Sequence, residues 1–125
     1  MSAAGLPRRA GGYGRNVLRG HGDLLWDAFV DVMLAAGPAH ERPSRYGDKP
    51  ALFVGSREIA HQEAPGVIDL RITRVGWSLV SADFGDDPAV RHVPSRRDWI
   101  ELHLSSGADL DRLGILLTTA VAANA

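Results

Sequence analysis

The sequence predicts an α+β domain: a mostly antiparallel sheet of about five strands, with three helices packed on one face. Three observations carry this expectation. Residues 67–72 and 99–104 alternate apolar and polar side chains with a period of two. Residues 25–36 and 110–121 instead repeat their apolar side chains at helical spacing. The links between successive strands are short and turn-rich, as in Gly55-Ser56 and Ala64-Pro65-Gly66. Such hairpins make the sheet antiparallel and gather the helices on one side of it.

The elements follow in order. Asp23 is placed to cap a first helix, in which Leu25, Phe29, Val32, Met33 and Ala36 share a face. Asp27 and Asp31 fall on its other face, Trp26 lies off the main stripe, and Gly37-Pro38 stops it. Residues 38–50 carry Pro43, Gly47 and Pro50 and read as a loop. Strands are expected over 51–54, 57–62 and 67–72. A second helix over 74–83 would turn Val75, Leu79 and Ala82 inward, with Trp77 at its edge. A brief strand over 89–93 is limited by Pro94, and 99–104 forms the last strand. Ser106 or Asp109 then caps a final helix whose stripe is Leu110, Leu113, Leu117, Ala120 and Val121, with Leu116 adjoining.

Composition limits the function classes. The chain has 125 residues, 45% of them hydrophobic and 23% charged, enough for one domain with its own core. It has no cysteine, which removes disulfides, thiolate metal sites and a cysteine nucleophile. The net charge of −1 argues against nucleic acid as a partner. Charge is nonetheless uneven. Residues 1–20 carry +4, from Arg8, Arg9, Arg15 and Arg19, among several glycines, whereas the rest carries −5. The first segment reads as a flexible tail, and residues 21–125 as a single domain. The arginines precede no apolar run, so the tail is not a secretory signal, and no stretch is long and apolar enough to span a membrane. The expected location is the cytoplasm.

Candidate chemistry comes from the sheet. If Ile68, Leu70, Ile72, Ile100, Leu102 and Leu104 face the helices, then Asp69, Arg71, Trp99, Glu101 and His103 face away. A three-residue hairpin loop over 64–66 sets Glu63 opposite Val67 and His61 opposite Asp69, bringing His61, Glu63 and Arg57 to the same face. A one-residue slip would turn His61 inward. A histidine beside an aspartate can be held in one tautomer and made a better base. An arginine nearby can hold an anion. The same face could equally be solvated, or covered by a second copy of the chain with Trp99 as anchor.

Other motifs are weaker. His61-Gln62-Glu63 puts two ligand types on one side of a strand, and with His103 or His92 it would make a His/carboxylate set. Such spacing is common, so neither a metal nor another cofactor is expected. Gly11-Gly12-Tyr13-Gly14 follows no strand and lacks a Lys-Ser/Thr, so it is no phosphate loop. No Gly-x-Ser-x-Gly elbow is present.

Several of these residues resemble the luciferase-domain family of small bacterial and archaeal proteins, named for their similarity to fungal luciferases. The resemblance lies in Arg57-Glu58-Ile59-Ala60-His61, Asp69-Leu70-Arg71, His92-Val93-Pro94 and Trp99. Pro43-Ser44-Arg45-Tyr46-Gly47 and Phe53-Val54-Gly55 resemble the family's lead-in to its first strands. It covers roughly residues 24–122. The layout is also similar, more distantly, to the YjbR-like α+β fold. Glu63 stands where the family often has a second histidine, which argues against a His-x-His metal role. Pro94-Ser95-Arg96-Arg97-Asp98 also departs from the family's stretch before the tryptophan.

The resemblance implies a small-molecule enzyme that needs no tightly bound cofactor. It would do acid–base chemistry, as oxygenation or rearrangement, on an acidic conjugated compound of secondary metabolism such as a polyketide-like metabolite. In that scheme His61 and Asp69 are the base pair, and Arg71 or Arg57 stabilises the anion. Trp99 is a stacking wall, and Glu63, His103 and His92 line the substrate. The rival expectation is a non-catalytic module that binds a small molecule or forms a homodimer.

Overall fold

The computed structural model describes residues 24–45 and 47–125. The Arg/Gly-rich segment 1–20 and the expected cap Asp23 lie outside the described residues. Four helices and six strands follow one another as α1 (Leu24–Ala36), β1 (His40–Pro43), β2 (Pro50–Val54), β3 (Arg57–Ala64), β4 (Val67–Arg71), α2 (Arg74–Phe84), β5 (Val90–His92), β6 (Trp99–His103), α3 (Gly107–Arg112) and α4 (Gly114–Asn124). The strands form one sheet in the order β1-β2-β3-β4-β6-β5, antiparallel at every pairing. The α+β class predicted from the sequence is the class observed. Among the described residues no helix is long and apolar enough to cross a membrane.

The period-two pattern decides which face is covered. Ile68, Leu70, Ile100 and Leu102 are all at most 2% exposed and join the helices in one apolar cluster. Burying each such side chain contributes roughly 1.5–3 kcal/mol. Helix α4 sits against α1, α2 and α3 and lies over β4. The predicted stripe of the last helix is buried in full, from Leu110 through Leu113, Leu116, Leu117 and Ala120 to Val121. The helix itself is divided, because Leu113 leaves helical geometry (φ −90°, ψ 9°) between α3 and α4.

Four expectations are corrected. Strand β1 occupies part of the predicted loop. It is an edge strand ending at Pro43, a place where a missing N–H is tolerated. In α1 the buried residues are Trp26, Phe29, Val30 and Met33, so the stripe is rotated to include Trp26. Its indole Nε1 donates to Glu41 Oε2 at 3.1 Å, which lets a polar-tipped ring sit at full burial. In α2 the buried residues are Gly76, Val80 and Phe84, while Val75 and Leu79 are 70% and 72% exposed. Gly76 explains this rotation: a Cβ there would lie 3.3 Å from Ala123 and 3.1 Å from Ile72, so glycine lets α2 close on α4.

The β3–β4 hairpin is the fourth. Its turn is the two residues Pro65-Gly66, with Gly66 at φ 76°. Proline at the first turn position and positive φ at the second suit a type II turn, which forms in place of the expected three-residue loop. Ala64, not Glu63, therefore pairs with Val67, and Glu63 becomes a bulge. His61 still pairs with Asp69.

Candidate functional site

The site is built on β3, whose alternation is broken twice. At one end Leu52 pairs with Ala60 but Phe53 pairs with Glu58, so Ile59 is an extra residue. At the other end Glu63 is extra. Each bulge moves the residues beyond it to the opposite face. Strict alternation would separate Glu58 from His61; the bulge at Ile59 puts both on the face the helices leave uncovered.

His61 is the hub of this face. Its side chain is 17% exposed. Nδ1 lies 2.9 Å from Glu58 Oε2, and Nε2 lies 2.7 Å from Glu63 Oε2 and 3.2 Å from Asp69 Oδ2. The imidazole is tilted on the Trp99 ring, with centroids 5.7 Å apart. Glu58 is fixed by donors from the turn after β1: Arg45 N at 2.9 Å and Ser44 Oγ at 3.1 Å. This buried carboxylate thus orients the ring by accepting a hydrogen bond from Nδ1–H, as second-layer carboxylates do for working histidines.

Asp69 is 4% exposed, and its Oδ2 also accepts from Arg96 Nη2 at 3.2 Å. Its Oδ1 is buried without a hydrogen-bond partner among the described residues. Arg96 continues over the Trp99 ring at 5.7 Å. One feature of the cluster is chemically demanding. With Nδ1–H given to Glu58, a neutral ring presents the Nε2 lone pair to carboxylate oxygens that also only accept. Something positive belongs between them, either a proton or a cation.

The structure therefore brings together His61, Asp69, Glu63 and Trp99 of the sequence-predicted set. The others stand apart. Arg71 turns round the end of β4, where its guanidinium donates to Asn124 Oδ1 and to Asp98 Oδ2. Arg57 is moved off this face by the Ile59 bulge and pairs with Val54. It lines a hollow of 480 Å³ with Arg71, Thr73, Val75 and Asn124. His92 pairs with Ile100, which places it on the helix side, and stacks on Trp77 with ring centroids 4.9 Å apart. His103 is on the uncovered face, but its Nε2 lies 2.6 Å from Glu101 Oε1.

Sequence reasoning missed two members, Glu58 and Arg96. For Glu58 the available signal was the consecutive apolar pair Ile59-Ala60, an interruption of alternation beside His61. For Arg96 there was none, since the turn after β5 sets its direction. No protein-family model matches the chain, and neither a curated protein nor a solved structure matches it.

Proposed function

We propose that the uncovered face around His61 is a small-molecule site for acid–base chemistry on an acidic, conjugated compound. The observation that carries this reading is the Glu58–His61 pair at 2.9 Å, a catalytic-type arrangement in which a buried carboxylate holds the imidazole tautomer. The substrate ring stacks against Trp99. Its acidic oxygen meets Arg96, which takes the anion-holding part expected of Arg71 or Arg57. Glu63, with a side chain 48% exposed on its bulge, is the group that swings aside to admit the substrate to Nε2. The resemblance to the luciferase-domain family supports a hydroxypyrone-like substrate whose anion reacts with oxygen.

The test uses the full chain with 4-hydroxy-6-methyl-2-pyrone as probe, following oxygen uptake and product formation. His61→Ala is expected to lower turnover about 10²–10⁴-fold. Turnover unchanged by that substitution would remove His61 from the chemistry. Saturable binding of the probe with no turnover by the parent protein would favour the non-catalytic module instead.

A further inference from the structure

We infer that His61 Nε2 and the carboxylates of Glu63 and Asp69 form a binding site for a divalent first-row transition-metal ion. The three side chains offer ligand atoms that all lie within 4.8 Å of one another. Ligands about 2.0–2.2 Å from one such ion sit roughly 2.8–3.6 Å apart, from adjacent octahedral to tetrahedral positions. The Nε2–Oδ2 separation of 3.2 Å is already in that range, and the Nε2–Oε2 separation of 2.7 Å needs only a few tenths of an ångström of movement. Glu63 is the half-exposed member, so the movement falls on a side chain free to make it.

Three further observations point the same way. The carboxylates of Glu58, Glu63 and Asp69 surround one imidazole, and Arg96 is the guanidinium within ion-pair distance of them among the described residues. A dication relieves that excess of negative charge. Asp69 is 4% exposed, yet its Oδ1 has no hydrogen-bond partner among the described residues. A buried carboxylate oxygen of that kind calls for an ion or water. Finally, Glu58 takes Nδ1–H, which directs the Nε2 lone pair outward. Metal-bound histidines have this carboxylate behind them in the same way. One imidazole nitrogen with two carboxylates suits manganese through zinc better than calcium, which prefers oxygen alone.

The inference takes its location from the reading above, since both use the face around His61, but not its chemistry: Nε2 bound to an ion cannot also accept a proton, so ion and pyrone compete for that atom. It is tested by titrating the chelator-treated full chain with Co²⁺, reading heat and the visible spectrum, and with Zn²⁺ by calorimetry. One equivalent is expected. Glu63→Gln, at a half-exposed position that leaves folding intact, and Asp69→Asn should each weaken binding at least about 100-fold. Glu58→Gln should weaken it about 10–100-fold. His103→Ala should leave it unchanged. No stoichiometric binding, or binding that survives both Glu63→Gln and Asp69→Asn, overturns the site. Pyrone turnover by metal-free protein that binds no Co²⁺ would sink the metal site alone. Co²⁺ bound as described by a protein inert towards the pyrone would sink the enzymatic reading alone.

Discussion

Glu58 has more donors directed at it than any other buried side chain in the site. Ser44 Oγ, Arg45 N and His61 Nδ1 all reach it, and its side chain is 4% exposed. A glutamine fits the same space but presents an NH₂ where the carboxylate had an acceptor, and while His61 keeps its Nδ1–H that donor faces a donor. Leaving a buried polar group unsatisfied costs about 1–3 kcal/mol. Glu58→Gln is therefore expected to lower stability by that amount in urea unfolding, with an unchanged dependence on denaturant. Ser44→Ala supplies the comparison. It removes a donor but leaves the Glu58–His61 contact, so it should keep His61 working while losing stability. If Ser44→Ala impaired turnover as much as Glu58→Gln, orientation of the imidazole would not be what Glu58 provides.

At the scale of elements, legibility followed regularity. Strands β4 and β6 carry no bulge, and the side of the sheet on which each of their residues falls could be read directly from alternation. Strand β3 carries two, and there the pattern misplaced Arg57, missed the bulge at Glu63 and hid Glu58. A bulge leaves only a weak trace in sequence, because the extra residue can be as apolar as Ile59. Helix α2 failed differently. Its apolar residues allow two adjacent stripes, and the choice was made by Gly76 fitting against Ala123, a contact between residues far apart in sequence. The observed stripe has a direct check. Val80→Ala should destabilise by roughly 0.5–3 kcal/mol as a core truncation, whereas Leu79→Ala, on the exposed side, should stay within about 0.5 kcal/mol. The reverse order would mean that the helix packs as the sequence pattern suggested.

Helix α3 adds a pH-dependent element. Ser105 N donates to Asp109 Oδ2 at 2.7 Å, Arg112 Nη2 reaches Oδ1 at 2.9 Å, and Ser106 N also donates to Oδ2. The Ser105 N–H, followed by Arg112, holds the Asp109 carboxyl below the ordinary carboxylate range. A carboxyl whose value is lowered by folding stabilises the protein fully above its unfolded value, and loses that contribution as pH falls through the folded one. The melting-temperature gap between the parent protein and Asp109→Ala should therefore be widest near neutrality and shrink towards pH 3. A gap independent of pH would show that the charge of Asp109 is not what stabilises the helix start.

Across the whole molecule, one sheet separates two kinds of surface, and the arginines show how firmly. The helix side is sealed at the end of β4 by α4: Asn124 Nδ2 donates to Arg71 O at 2.7 Å, and the Arg71 guanidinium returns a bond to Asn124 Oδ1. Arg71 alternates correctly for the uncovered face, yet it is drawn round the strand end to brace the last helix. Arg96, from the turn after β5, faces Asp69 instead. The division of labour gives different expectations for two substitutions. Asn124→Ala unties α4 from the sheet and should lower stability by about 1–3 kcal/mol, through loss of a part-buried network, while leaving pyrone turnover and Co²⁺ affinity near those of the parent. Arg96→Ala removes the guanidinium that faces the buried Asp69 carboxylate, so it too should lower stability, by about 1–3 kcal/mol. It should also raise the KM for the pyrone, because the anion loses its counter-charge. A KM change that follows Asn124 instead of Arg96 would mean that the two faces are not independent and that the site draws on the helix layer behind it.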